Sequence, residues 1–249
     1  MLREALQHLF TAAPKYVKDM GYLREAIAIE ARAKRCKKHW RPHLEKSKQH
    51  ILTAAKKLTP GAHIMILGSG GLHDVPLDEL EQFKITCVDI VHLPAVKKQY
   101  KAINFITQDV TGKAETLYQS IREGKIVTGD LEWRLSEKPD LIISLNLLSQ
   151  LAMKLVEYAD SYDHDLGICF ADNIIKEHVD WLKKQQTDVL LISDISRCYF
   201  QGERLVEKIA SLPDLELDAP EDQWQWDIAP TGEADKEISI RHNVGAWRL

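Results

Sequence analysis

The residues best suited to chemistry follow short apolar runs. Gly68-Ser69-Gly70-Gly71 comes directly after "HIMIL" (63–67), and Asp89 stands 21 residues beyond Gly68. Glycines let the backbone approach a ligand closely, and a carboxylate at that distance is suited to accept bonds from ribose hydroxyls. Asp109 lies at the end of a further run, "NFITQDV" (104–110), and Asn146 follows "DLIISL" (140–145). The pattern asks for a nucleotide-like cofactor held by turns.

Other candidates are more isolated. His178 lies on the apolar face of its helix and reads as a buried, hydrogen-bonded side chain before it reads as a general base. His242, in "RHNVGAW", is open to the same two readings. "DHD" at 163–165 has the oxygen donors of a cation site, but a solvated loop is the ordinary reading. The four cysteines are scattered, with no CxxC pair, and read as reduced thiols. No metal is expected.

The elements that must position these residues change in kind near "TPG" (59–61). Before it the chain reads as helices. Leu2, Leu6, Leu9 and Phe10 share one face, as do Tyr16, Met20, Leu23 and Ile27. A third helix is expected from near Pro42, with Leu44, Ile51, Ala55 and Leu58 inward. From residue 61 onward, five β-rich runs alternate with helical segments such as 113–124 and 172–186, the signature of a parallel sheet with right-handed crossovers. "DQWQWDIAP" (222–230) and "ISIRHNVGAWRL" (238–249) read as a closing hairpin. The expected fold is a doubly wound, mostly parallel seven-stranded sheet with an antiparallel C-terminal hairpin. Residues 1–60 form a helical lid or recognition segment and 61–249 a cofactor-binding domain.

In such a sheet, ligands bind outside the carboxyl ends of the strands. A dinucleotide needs its pyrophosphate at a helix N-terminus and a third glycine for close helix packing. His73 stands where that glycine should be, and Pro76 delays the next helix. S-adenosylmethionine (SAM) carries no phosphate and has less need of that helix end. The run "ILGSGG…VDIV…TQDV…PDLIISLNLLSQL" resembles the class I SAM-dependent methyltransferases over roughly residues 61–195. The resemblance implies that Gly68, Ser69 and Gly70 lie along the methionine part of SAM. It implies that Asp89, with Ile90 beside it, binds the ribose, and that Asp109 and Val110 hold the adenine. Leu145 and Asn146 would then lie near the sulfonium. "LHDVPLDEL" replaces the usual glycine-to-helix transition, and Asn/Asp-Pro-Pro-Tyr is absent after the fourth strand. Asn146 and His242 are the catalytic candidates, in orienting the acceptor.

Charge adds a partner question. Residues 1–58 hold 14 Lys/Arg against 5 Asp/Glu, a net of +9, which leaves −13 for the rest of a chain that totals −4. The basic segment 32–57, with Trp40 among its cations, fits an anionic partner or nucleic acid. It equally fits a lid packed on an acidic body, with Tyr16, Tyr22, Trp40 and Arg41 as its first candidates. No run is apolar enough to span a membrane, and residues 1–10 lack a secretory core; the reading is cytoplasmic. Two other functions stay open: a SAM-fold binding or regulatory module without turnover, and an NAD(P)-dependent oxidoreductase resting on Gly68-x-Gly70 and Asp89.

Overall fold

A computed structural model of the chain describes residues 7–127, 129 and 133–249. Among the described residues, eight strands run in chain order: β1 (His63–Leu67), β2 (Lys84–Asp89), β3 (Asn104–Thr107), β4 (Leu141–Leu145), β5 (Asp188–Gln201), β6 (Arg204–Ala210), β7 (Asp222–Ala229) and β8 (Ile238–Arg248). They form one sheet in the order β3-β2-β1-β4-β5-β8-β7, with β6 paired to β5. β1 to β5 are parallel, in the 3-2-1-4-5 order of a doubly wound sheet. β8 and β7 close it antiparallel, the hairpin expected from 222–230 and 238–249.

The apolar strands are buried on both faces because helices cover both. Along β1, Ile64 and Ile66 enter one core cluster while Met65 and Leu67 enter the other, the period-2 alternation of an extended chain. On the second face pack α5 (Ala114–Arg122), α6 (Met153–Asp160) and α7 (Phe170–Lys184), through Leu117, Leu155, Ile175 and Leu182. On the first lie α2 (Tyr22–Arg35) and α3 (Lys37–Ala55), through Leu23, Ile27, Trp40 and Ile51. The short α1 (Lys15–Asp19) precedes them, and α4 (Pro94–Gln99) joins β2 to β3. Among the described residues, no helix is long and apolar enough to cross a membrane.

Four expectations need correction. The fifth strand runs on to Gln201 and the chain returns as β6, giving eight strands among the described residues rather than seven. All seven residues of β6 are exposed, so neither face had to be apolar and no alternation marked it. α3 starts at Lys37 rather than at Pro42. Only Cys36 separates it from α2, and Pro42, in its second turn, costs one backbone bond. Leu9 and Phe10 are 69% and 79% exposed and belong to no core; Leu2 and Leu6 lie outside the described residues.

Candidate functional site

A cavity of about 420 Å³ opens beyond the carboxyl ends of β1, β2 and β4, roofed by α2 and α3 and walled by β7 and β8. Gly68, Ser69, Gly70, Asp89, Ile90, Asp109, Val110, Leu145, Asn146 and His242 all line it. The strand-end turns, with His242 on β8, thus bring the residues read as cofactor-binding and as catalytic candidates to one place.

The glycine turn is built by close approach. A Cβ on Gly68 would lie 2.8 Å from both Leu145 O and Leu147 Cβ, and its φ of 75° favours glycine independently. Gly70 (φ 46°) faces open space, where a Cβ would meet nothing within 4 Å, and its N–H donates to Asp89 Oδ2 at 2.8 Å. Gly71 leaves room for the Glu30 carboxylate of α2, which a Cβ would meet at 2.1 Å. Glu30 in turn pairs with His73 Nε2 at 2.7 Å. His73 therefore ties the turn to the α2 roof.

No α-helix follows this turn. The next helical residues are a four-residue 3₁₀ segment, Leu77–Leu80, so the turn presents no helix N-terminus to a pyrophosphate. The two aspartates differ in what they have left to offer. Asp89 is half-buried, and desolvation raises its pKa against the backbone N–H groups of Gly70, Val91 and Ile90; its Oδ1 accepts a long 3.4 Å bond from Val91 N. Asp109 is busier: Oδ1 accepts from Thr111 N and Oγ1 at 2.8 and 2.7 Å, and Oδ2 from Ala114 N at 2.8 Å. It secures the start of α5 while its edge still borders the cavity.

Asn146 sits at φ 50°, just after β4, with its N–H on Ile192 O at 2.8 Å. Its amide lies 2.8 Å from Asp74 Oδ2 and 3.2 Å from His43 Nε2, while Trp224 Nε1 donates to His43 Nδ1 at 3.0 Å. His43 also stacks on Trp226 at 4.0 Å and 6°. Burial holds the His43 pKa at about 3 and pushes that of Asp74 up.

The second catalytic candidate has a partner of its own. His242 Nδ1 lies 3.6 Å from Asp194 Oδ2, and Ser149 Oγ donates to Asp194 Oδ1. Burial brings His242 to about 4, against the raising effect of Asp194. A bulge between Asp194 and Ser196 adds one residue to β5, so that Arg197 comes opposite His242, and His242 opposite Trp226.

Several positions in or beside the cavity escaped the sequence reading: His43, Asp74, Asp194, Arg197, Trp224 and Trp226. Only "WQW" carried a signal, two large aromatics on one face of a strand. Of the roof candidates, Tyr22 and Trp40 line the cavity, and Trp40 Nε1 donates to Ile228 O at 2.9 Å. Tyr16 instead packs near Tyr118, and Arg41, largely exposed, pairs with Glu45. Basic residues of the roof pair with the hairpin: Arg35 with Glu233, His39 with Asp227, and Lys46 and His50 with Asp222. His178 is buried away from the cavity, against Ser144 Oγ at 3.0 Å. Asp165, in the "DHD" loop, accepts from Gly167 N. Among the described residues, no three His, Cys, Asp or Glu side chains gather to hold a metal ion.

No protein-family model and no curated protein sequence matches this chain. Among solved structures it is similar to the N-methyltransferase NodS from Bradyrhizobium japonicum in complex with S-adenosyl-L-homocysteine, at 11% identity over 81% of this chain and 86% of that one, TM-score 0.39. It is similar to a Burkholderia thailandensis 1,6-didemethyltoxoflavin-N1-methyltransferase with that compound and S-adenosylhomocysteine bound, at 12% identity over 90% and 89%, TM-score 0.39. YjhP from E. coli matches at 15% identity over 59% of this chain and 49% of that one, TM-score 0.34. Likenesses this distant carry no argument about the chemistry of this chain, which rests on its own residues.

Proposed function

We propose that the chain is a SAM-dependent methyltransferase acting on a small acceptor, with α2 and α3 as the lid over both ligands. The observation that carries this reading is the convergence of the glycine turn, Asp89, Asp109, Asn146 and His242 on one cavity. The turn suits SAM because Gly70 leaves its open side free and no phosphate-binding helix end stands beside it. The same absence weighs against a nicotinamide cofactor.

When bound, SAM supplies an electrophilic methyl group on a sulfonium. Asp89 Oδ1 would accept from the ribose, Gly68 to Gly70 would border the methionine part, and Asp109 and Val110 the adenine. His242 is neutral at pH 7, and its Nδ1 side faces Asp194, which leaves Nε2 for the cavity. There it would take the proton that the acceptor loses on methylation. Asp194, held by Ser149, orients the ring and favours the imidazolium that forms. Asn146, fixed by Asp74 and His43, would orient the acceptor. The roof excludes water, and alignment supplies the rest of the rate.

The ion pairs between the basic roof and the acidic hairpin support a lid more than a nucleic-acid arm. Calorimetric titration with SAM and its demethylated product tests the cofactor assignment. Binding that Asp89→Ala removes, with no fluorescence enhancement of added NADH, is the expected result. NADH binding without SAM binding would replace this reading with the oxidoreductase one. SAM binding without turnover on any acceptor would favour a binding module.

A further inference from the structure

Charge balance within the cavity is uneven. Glu25 pairs with Lys154, Glu30 with His73, Asp74 with Asn146, and Asp89 and Asp109 with backbone N–H groups. Two of the three strongly basic side chains on its wall are also matched: Lys154 by Glu25 and Glu157, and Arg32 by Glu233 at 3.6 Å. Arg197 makes no ion pair and no side-chain hydrogen bond among the described residues. It is half-buried on β5, opposite His242, and so stands in one cross-strand row with His242 and Trp226. The indole N–H of Trp226 is buried and also has no acceptor. Two donors without acceptors therefore flank the candidate base, and the nearest carboxylate, Asp194, faces His242 instead.

We propose that the methyl acceptor is a planar carboxylic acid whose carboxylate is received by Arg197, with the Trp226 N–H as a second donor and the ring against Trp40 and Trp226. This deepens the methyltransferase reading and rests on it. A guanidinium presents a flat fork that matches a carboxylate with two parallel bonds. A single such fork among aromatic walls fits a carboxylate rather than a phosphate, which would draw further cations. The charges facing the His242 ring are Asp194 and Arg197 from β5, and the neutral His43 from α3 lies nearby. Arg197 repels a proton on that ring. A bound carboxylate cancels the repulsion, so the base strengthens when its substrate is in place.

The test uses full-length protein saturated with S-adenosylhomocysteine and titrated with paired probes: 2-aminobenzoate and 2-hydroxybenzoate, their carboxamides, and phenyl phosphate. The acids should bind roughly 10- to 100-fold more tightly than the amides, the range of a charge-assisted pair. Arg197→Met should erase that preference and Arg197→Lys should restore part of it, with homocysteine-product affinity as the folding control. Acids that bind no better than amides, a preference for phenyl phosphate, or no binding by any probe would overturn the proposal. Failure of the methyltransferase reading registers separately, as loss of S-adenosylhomocysteine binding in the wild type.

Discussion

The two sides of the cavity, which our proposal gives to the cofactor and to the acceptor, are held by different means. The cofactor side is made of backbone and near neighbours: Gly70 N to Asp89, Asp109 to Thr111 and Ala114, and Gly68 N to Val88 O. The acceptor side is made of side chains brought together over most of the chain, such as Trp40 to Ile228, Trp224 to His43, and Arg35 to Glu233. The first side can be read from spacing because these partners lie about 20 residues apart or fewer. The second depends on two helices docking on a hairpin, which sets which residues meet.

The comparison predicts where the molecule gives way. Trp40→Ala should have the largest effect, a loss of about 3–5 kcal/mol in urea denaturation, because it empties a buried indole site between α3 and β7. Gly68→Ala should follow at about 3 kcal/mol, combining a strained φ with contact against Leu145 O and Leu147, and it should abolish SAM binding. An unchanged melting temperature for either variant would mean that its side of the cavity is not assembled as described.

Acid should loosen the acceptor side. A histidine whose folded pKa lies below its ordinary value contributes stability that is whole above about 6.5 and is lost as the pH falls towards the folded value. For His43 that window runs from 6.5 down to about 3, with a loss approaching about 1.4 kcal/mol per pH unit. His43→Asn should flatten the fall of stability between pH 6 and 5; an unaltered slope would show that His43 is not held neutral. Glu233→Gln should have the smallest effect, under about 1 kcal/mol, because the pair with Arg35 is partly exposed and screened by salt. Denaturation of both proteins at low and high salt checks this.

The parallel sheet, the closing hairpin and the strand-end turns were legible because each has a local signature: short apolar runs spaced by helical segments, clustered glycines, and carboxylates just past strand ends. The acceptor side was legible only at its edges. His242 and Trp40 stood out by type, but nothing local tied Asp194 to His242 or Asp74 to Asn146. Those pairings depend on a bulge and on the docking of α3. β6 was missed because an exposed strand needs no apolar face. The +9 of the first 58 residues was visible, but the hairpin carboxylates that meet part of it, Asp222 and Glu233, lie more than 160 positions away from it.

The central claim is that both sides close on one ligand-bearing cavity, and amide hydrogen exchange with and without S-adenosylhomocysteine tests it most directly. Protection should rise together at 68–71 and 89–91 on the cofactor side and at 22–44 in the roof. Protection confined to other regions, or none at 68–71, would contradict the account.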